Sequence, residues 1–391
     1  MTVDGLFPRK PFTSFGPCGL LPLADAPTSC RVEAGHPGRL RKWVREQAPR
    51  RQPGVYGMVN ACGELIYVGK AKCLRTRLLG YFRPKSRDPK AGRILQHTRV
   101  LVWENVSSEF AALLRELELI QRFRPRFNVH GQPLRRRRTY ICIGRPPAPY
   151  LFLTSRPTGR ASACFGPVPA GDAAREAVRR LNDWFGLRDC PQSQEMAFAD
   201  QRELFPILRA AGCLRFEIGT CLGPCAGSCT RSAYSERVRA ARAFLTGADL
   251  TLLDQLKVEM ESASASKDFE RAALLRDKWQ TLSWLRRQID RWREVREQEP
   301  FLYPVRGADN QETWYLIHGG RVVAALLAPS NGKERCVRAE EIDKTFRKRK
   351  KTAAGPVPAN EVDSVLLVAA WFRKHPQEAG RRVAPKNLPA A

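Results

Sequence analysis

The sequence predicts a protein of the mixed α/β (α+β) class, assembled from several modules. Two short apolar runs on either side of a turn at 61–63 predict an antiparallel hairpin. Apolar residues at spacings of three and four predict amphipathic helices after residue 107 and over 249–292. We therefore expect a small antiparallel sheet flanked by helices, a cysteine-rich region, a helical hairpin and a small C-terminal α/β segment. The expected boundaries are 1–38, 39–131, 132–235, 245–293 and 294–391.

The chain is strongly basic. Its 391 residues include 67 Lys and Arg against 39 Asp and Glu, a net charge of +28. Such an excess costs self-repulsion unless a polyanion relieves it, so nucleic acid is the expected partner. No run approaches a membrane-spanning length, and membrane binding is not expected. The N-terminus lacks the apolar segment of a signal peptide, which favours a cytoplasmic location where disulfides are disfavoured.

The first elements follow from local patterns. Residues 1–38 are rich in proline and glycine and predict an irregular extension, after which GRLRKWVREQAP predicts a basic helix. Residues 55–59 and 65–68 predict the two strands of the hairpin. A helix is expected from about 71 to 82, with Leu74 and Leu78 buried.

A second helix is expected to begin near Ser107, which is a good N-cap residue. Its apolar stripe contains Phe110, Leu113, Leu114, Leu117 and Ile120. Glu116 lies at the edge of that stripe, so its carboxylate is expected to face a cleft. Extended structure is expected at 125–129.

The elements after residue 131 are predicted from weaker hydrophobic periodicity. A basic run (135–138), a strand (150–153), a turn (165–169) and a helix (173–185) precede the cysteine cluster. Two helices joined by 264–268 follow, the second with a long apolar stripe. Strands are expected over 301–328 with a turn at 319–320, then a solvated basic run at 344–351 and a last helix at 364–375.

The hairpin and the helix after it concentrate groups suited to phosphodiester chemistry. Cleavage needs an activated water, positive charge near the phosphate and usually a cation held by a carboxylate. A hairpin with exposed tyrosines beside a basic helix is also a common surface, and composition alone leaves both interpretations open. The candidate groups are Tyr56, Tyr67, Lys70, Arg77, Tyr81 and Glu116.

Four blocks of sequence, in order over about residues 40–292, together carry a resemblance to one family. GVY at 54–56, IYVGKAK at 66–72, an arginine and YF at 81–82 resemble the GIY-YIG nuclease domain of the UvrC excinuclease family. EFAALLRELELIQRFRPRFNV resembles that family's glutamate helix. CLRFEIGTCLGPC resembles its cysteine region, and MESASASKDFERAALLRDKWQTL resembles its UVR motif.

The resemblance implies a role for each nuclease residue. Tyr56 and Tyr67 would be the motif tyrosines, one of them the general base, with Lys70 lowering its pKa. Arg77 and Tyr81 would contact the scissile phosphate. Glu116 would be the metal ligand, with Mg²⁺ or Mn²⁺ as the cation.

The cysteines point to a metal. The chain has 12 cysteines, which are dense for a reducing compartment. The resemblance implies that four of them hold a 4Fe-4S cluster, whereas four thiols also suit zinc or can simply be buried. Cys229 is a rival fourth ligand. The four cysteines of the family pattern are Cys190, Cys213, Cys221 and Cys225.

The helical pair resembles a UVR hairpin, which implies UvrB as its partner; an ordinary helical hairpin closing its own core is the alternative. Residues after 293 are too few for the RNase H-like and helix-hairpin-helix domains of the full subunit, as in the short homologue Cho. The resemblance therefore implies an endonuclease of nucleotide excision repair that cuts damaged double-stranded DNA once, 3′ to the lesion, after loading by UvrB. A non-catalytic docking protein and a mobile-element or restriction nuclease are the alternatives.

Overall fold

The computed structural model describes residues 11–20, 29–33, 37–82, 89–128, 138–157, 159, 161–191, 193–201, 213–350 and 355–385. Their contacts divide the chain into two units. The first contains residues 1–135, 298–353 and 360–391, and the second contains 136–297 and 354–359. The C-terminal segment is thus grouped with the hairpin region rather than apart from it. The predicted α+β class is confirmed, since both units combine helices with small antiparallel sheets.

A four-stranded antiparallel sheet forms the centre of the first unit, in the order β1-β4-β2-β3. Its strands are β1 (Ser29–Glu33), β2 (Gly54–Val59), β3 (Leu65–Ala71) and β4 (Val100–Asn105). The predicted hairpin is confirmed as β2 and β3. The prediction of an irregular extension was wrong at 29–33, because β1 pairs with β4 and obtains its hydrogen bonds from that partner.

Four helices belong to the same part of the chain: α1 (Pro37–Gln47), α2 (Leu74–Gly80), α3 (Pro89–His97) and α4 (Glu109–Phe123). Leu74 and Leu78 of α2 are buried, as predicted. The N-cap of α4 is Ser108 rather than Ser107, since the Ser108 side chain accepts a hydrogen bond from the Ala111 amide. The helix buries Leu119 where the stripe predicted Leu117.

Buried Arg115 joins α4 to β4 and to the N-terminal segment. Its side chain is 0% exposed and pairs at 3.0 Å with Glu104, which is 1% exposed. Its guanidinium also donates to Glu118 at 2.9 Å and to the Pro17 carbonyl at 3.3 Å. Phe15 is also buried, so the described residues near 15–17 pack against the rest of the unit although they form no helix or strand, as predicted.

A three-stranded sheet lies in the C-terminal part of the first unit. It consists of β8 (Phe301–Arg306), β9 (Glu312–His318) and β10 (Arg321–Leu327) and is followed by α10 (Gly332–Lys350), α11 (Val362–Lys374) and α12 (Pro376–Ala379). The predicted strands and last long helix are confirmed. The basic run at 344–351 was predicted as solvated; its described part lies in α10, which buries Ile342 and Phe346 against the sheet.

The second unit contains the sheet β6-β5-β7. Its elements are β5 (Arg138–Ile143), β6 (Leu151–Thr154), β7 (Ala163–Pro169), α5 (Asp172–Trp184), α6 (Leu214–Glu217), α7 (Arg231–Thr246), α8 (Thr251–Ala265) and α9 (Phe269–Glu297). The predicted helical hairpin is confirmed as α8 and α9. The turn predicted at 165–169 was wrong, because these residues pair with β5. Residues 135–137 of the predicted basic run lie outside the described residues.

A disulfide joins Cys142 of β5 to Cys164 of β7, contrary to the expectation from the compartment. The two residues lie directly opposite in the strand register, with 4.2 Å between their Cα atoms. Within the described residues, no helix is both long and apolar enough to cross a membrane.

Candidate active site and cysteine cavity

Three tyrosines meet at the end of the hairpin. Tyr56 is on β2, Tyr67 on β3, and Tyr81 directly follows α2. Their ring centroids lie 6.1 Å apart for Tyr56 and Tyr67, 6.0 Å for Tyr56 and Tyr81, and 6.4 Å for Tyr67 and Tyr81. We call these three residues the tyrosine cluster; the structure brings together all three tyrosines that the sequence predicted.

Gly69 makes room for this cluster. It pairs with Tyr56 across the hairpin, and a Cβ atom at 69 would lie 2.5 Å from the Tyr56 hydroxyl oxygen and 3.0 Å from the Tyr67 ring. Sequence reasoning assigned no role to Gly69. The available signal was a glycine inside a strand, which often marks a close approach of another group.

Arg77 connects α2 to the cluster. Its Nε donates a hydrogen bond of 3.1 Å to the Tyr56 hydroxyl, which also lies 2.9 Å from the Tyr81 hydroxyl. Burial raises the pKa of both Tyr56 and Tyr81 above the ordinary tyrosine value, although Arg77 lowers that of Tyr56. Both side chains are therefore neutral phenols at neutral pH.

Glu116 lies on α4, which packs against β3. Burial raises the pKa of Glu116 to about 7, and the charges of Lys70 and Arg77 act in the opposite direction. The Lys70 backbone amide also lowers the pKa of this carboxylate. Glu116 is thus a desolvated carboxylate within the electrostatic reach of two predicted site cations.

The Lys70 ammonium also lies near Glu109. Its Nζ lies 3.6 Å from Glu109 Oε1, and Lys72 lies 3.9 Å from the other oxygen of Glu109. Lys70 is not among the groups that shift the pKa of Tyr56, whereas Arg77 is. Sequence reasoning missed Glu109, which partly neutralises both lysines.

Asn128 fixes β3 from outside the sheet. Its side chain accepts from the Val68 amide at 2.9 Å and donates to the Val68 carbonyl at 2.7 Å. The extended structure predicted at 125–129 is instead a turn at 126–127 over the described residues. This turn brings Asn128 back to the strand that carries Tyr67, a role that no local pattern predicted.

The four predicted cysteines line one cavity in the second unit. Cys190, Cys213, Cys221 and Cys225 border it together with Arg188 and Arg215. Burial raises the pKa of the Cys190 and Cys221 thiols, while Arg188 lowers that of Cys190 and Arg215 lowers that of Cys221. Cys229 is buried in the hydrophobic core. Among the described side chains, no three His, Cys, Asp or Glu residues lie close enough together to hold a single metal ion.

Three family models match the chain in order. Residues 52–129 match the UvrC-like GIY-YIG domain, and 139–244 match the middle domain of the UvrC/Cho excinuclease. Residues 251–280 match the UvrB/UvrC motif. The fold and the tyrosine cluster thus belong to a GIY-YIG endonuclease domain.

Curated relatives agree with these models. A UvrABC system protein C from Idiomarina loihiensis is 37% identical over 236 residues, covering 58% of this chain and 35% of the relative. Another from Nitratidesulfovibrio vulgaris is 36% identical over 234 residues, covering 59% of this chain and 32% of the relative. Over its three matched segments the chain belongs to the UvrC family, and it spans about a third of the length of these relatives.

A solved structure also matches part of the chain. The GIY-YIG N-terminal endonuclease domain of UvrC from Thermotoga maritima, bound to magnesium as its catalytic divalent cation, is 38% identical. The match covers 23% of this chain and 97% of that domain, with a TM-score of 0.21.

Proposed function

We propose that this chain is a metal-dependent DNA endonuclease of nucleotide excision repair, acting in the cytoplasm. It nicks the damaged strand on the 3′ side of a lesion after loading by UvrB. The observation that carries this proposal is the convergence of the tyrosine cluster, Arg77 and the desolvated Glu116. The relatives named as UvrABC system protein C supply the repair context.

Glu116 fits a divalent cation, because its carboxylate is buried at a cost that a bound cation would offset. Mg²⁺ or Mn²⁺ held there with substrate oxygens and water would supply positive charge to the scissile phosphate. The Thermotoga maritima domain, which binds magnesium, supports this assignment.

Tyr67 is the better candidate for the general base. A base must lie within hydrogen-bond reach of the attacking water, and the Tyr67 side chain is half-buried whereas Tyr56 is 0% exposed. Tyr56 and Tyr81 would then orient Arg77 and the phosphate through their shared hydroxyl hydrogen bond. Arg77 provides the planar guanidinium that suits phosphate oxygens. Lys70 would act on Glu116 rather than on a tyrosine.

Nicking of an end-labelled duplex with one bulky lesion tests the proposal, with and without UvrB. We expect one Mg²⁺-dependent nick 3′ to the lesion, lost in Glu116→Gln. Glu118→Gln is the matched control on the same helix, because the Glu118 carboxylate bonds Arg115 instead of the site. Absence of a nick despite intact UvrB and DNA binding would indicate a docking protein. Cutting of undamaged DNA without UvrB would indicate a mobile-element or restriction nuclease.

We also propose that Cys190, Cys213, Cys221 and Cys225 hold a 4Fe-4S cluster. Four thiols bordering one cavity are the right donor set, and two arginines there offset the negative charge of thiolates. Zinc is the alternative metal for the same four thiols. Anaerobically purified protein should contain iron and sulfide and absorb visible light, and Cys221→Ser should lose both while Cys62→Ser keeps them. Stoichiometric zinc without iron would contradict the cluster.

A further inference from the structure

Helix α1 lies before the segment that matches the GIY-YIG model and packs under the candidate active site. Leu40 and Val44 of this helix are buried in the same hydrophobic cluster as Tyr56, Leu74 and Tyr81. The apolar side of α1 is therefore fully used in supporting the tyrosine cluster and the helix that carries Arg77.

The segment after α1 also holds the start of α2. The Leu74 amide donates to the Gln52 carbonyl at 3.2 Å, and the Arg75 amide donates to the Pro49 carbonyl at 3.4 Å. The Arg75 side chain donates to the Ala48 carbonyl at 2.5 Å. Since α2 has no side-chain N-cap, the Gln52 and Pro49 carbonyls satisfy two amides that its first turn leaves open. The position of α1 is thus tied directly to the helix of Arg77.

The outer side of α1 is basic. Arg41 and Arg45 lie four residues apart on one strip, and Arg39 and Trp43 lie four apart on another, with Lys42 between the strips. Trp43 is 44% exposed. All four cations are exposed, and Glu46 is the helix's one acidic residue. We call Arg39, Arg41, Lys42, Trp43 and Arg45 the α1 basic face.

Helix α1 packs against α2, the helix that carries Arg77. Packed helices lie about 8–10 Å apart, and DNA advances about 3.4 Å per base pair. Duplex that extends about three base pairs from a phosphate held by Arg77 would therefore span the distance to the axis of α1. Resting on the proposed nuclease function, we propose that the α1 basic face binds the phosphate backbone of duplex DNA flanking the cut.

Duplex DNA fits this surface better than a bilayer does. An interfacial helix inserts a broad apolar face into lipid, whereas Leu40 and Val44 of α1 are already buried in the protein. The four cations of this face would contact phosphates, and the exposed tryptophan would contact a neighbouring sugar or base edge. The face holds the strand without reading its sequence, which is appropriate for an enzyme directed to varied lesions.

The proposal is tested by measuring the affinity for a fluorescent, undamaged duplex at several salt concentrations. All proteins in this experiment are the full chain and carry Glu116→Gln, so that they cannot cut the duplex. The variant is Arg41→Gln/Lys42→Gln/Arg45→Gln, and the matched control is Arg237→Gln/Arg239→Gln/Arg242→Gln on exposed positions of α7. We expect the α1 variant to bind about tenfold more weakly near 0.15 M salt and its salt slope to fall by about 2 to 3. The control should keep the slope.

Equal losses in both triple variants would show that only net charge matters and would overturn the proposal. Loss of binding to anionic vesicles with unchanged DNA binding would overturn it in favour of lipid. Trp43→Ala should weaken DNA binding roughly fivefold at every salt concentration, with Trp43→Phe close to the parent.

Nicking separates this proposal from the proposed function. With Glu116 intact, the α1 variant should raise KM and leave kcat at saturating DNA unchanged, because it alters no group in the tyrosine cluster. If the unsubstituted protein never nicks DNA but the two triple variants still differ in DNA binding, the proposed nuclease function is wrong. The proposal that the α1 basic face binds DNA would still stand.

Discussion

Glu116 is the proposed metal ligand, so its charge would control whether the site accepts a cation. Its pKa is raised to about 7 by burial, so it is half protonated at neutral pH. A cation must displace that proton, and binding should release it to the buffer. We expect the Mg²⁺ concentration for half-maximal nicking to rise about tenfold per pH unit below about 7 and to level off above it. A half-saturating concentration that is unchanged between about pH 6 and 8 would contradict the raised pKa.

The same raised pKa has a consequence for stability without a cation. The folded state binds the Glu116 proton more tightly than the unfolded chain does, whose ordinary value is 4.5. This contribution to the unfolding free energy is therefore full below about pH 4.5 and lost as the pH rises through about 7. Denaturant unfolding should show a different pH dependence of the unfolding free energy for the unsubstituted protein and for Glu116→Gln. The difference should be confined to the range from about pH 4.5 to about pH 7.

Gly69→Ala tests the close packing of the tyrosine cluster. The added Cβ would meet the Tyr56 hydroxyl at 2.5 Å and must displace it from Arg77. Because a displacement of about 1 Å in a catalytic group can cost about 10²-fold, we expect nicking to fall by about that factor. Gly92→Ala, where a Cβ meets nothing within 4 Å, is the control. Full nicking activity in Gly69→Ala would show that Tyr56 has no role in the reaction.

At the scale of elements, α4 is held from two sides. Its Arg115 binds β4 and the N-terminal segment, whereas Phe110 is inserted into the C-terminal part of the first unit. The Phe110 ring lies 5.2 Å from Tyr303, 4.9 Å from Tyr315 and 5.2 Å from Trp371. A segment beyond the family matches therefore supports the helix that carries the candidate metal ligand.

Phe110→Ala should consequently affect both stability and the site. Removing a fully buried phenylalanine costs about 3–5 kcal/mol of unfolding free energy. Leu117→Ala on the same helix, at a half-buried position, should cost less. Urea unfolding measures both, and the Mg²⁺ requirement for nicking should rise in Phe110→Ala at temperatures where it stays folded. A loss below about 1 kcal/mol would contradict the packing role of Phe110.

At the scale of the whole molecule, the hairpin of α8 and α9 carries several large apolar side chains that are exposed to solvent. Val258, Phe269 and Leu274 are 65%, 67% and 65% exposed. Exposed apolar groups on a helical hairpin fit the apolar face of a partner helix. Because residues 251–280 match the UvrB/UvrC motif, this surface is our candidate for the proposed docking of UvrB.

Phe269→Ser/Leu274→Ser should lose UvrB capture in a pull-down while the unfolding free energy changes little, since exposed side chains contribute little to the core. Val337→Ser on α10, also 62% exposed, is the control and should keep UvrB. UvrB-dependent nicking should fall with capture. Retained capture in the double variant would place the docking surface elsewhere.

The sequence by itself determined the hairpin, α4 and the long hairpin of α8 and α9. It also indicated the six nuclease candidates, and the resemblance to the UvrC family indicated the four cysteines that border one cavity. These follow from periodicity and from motifs within short stretches, because a helix or strand largely reveals its own buried side through spacing. The resemblance to the UvrC family rested on the same short stretches.

Only the tertiary structure decided the partners that lie far apart in the chain. Strand β1 exists because β4 supplies its hydrogen bonds. Arg115 forms an ion pair with Glu104 and donates a hydrogen bond to the Pro17 carbonyl. The Cys142–Cys164 pairing and the aromatic surroundings of Phe110 arise in the same way. Burial of a polar or aromatic group is stable only when a specific partner meets it, and local spacing does not encode which distant residue that partner is.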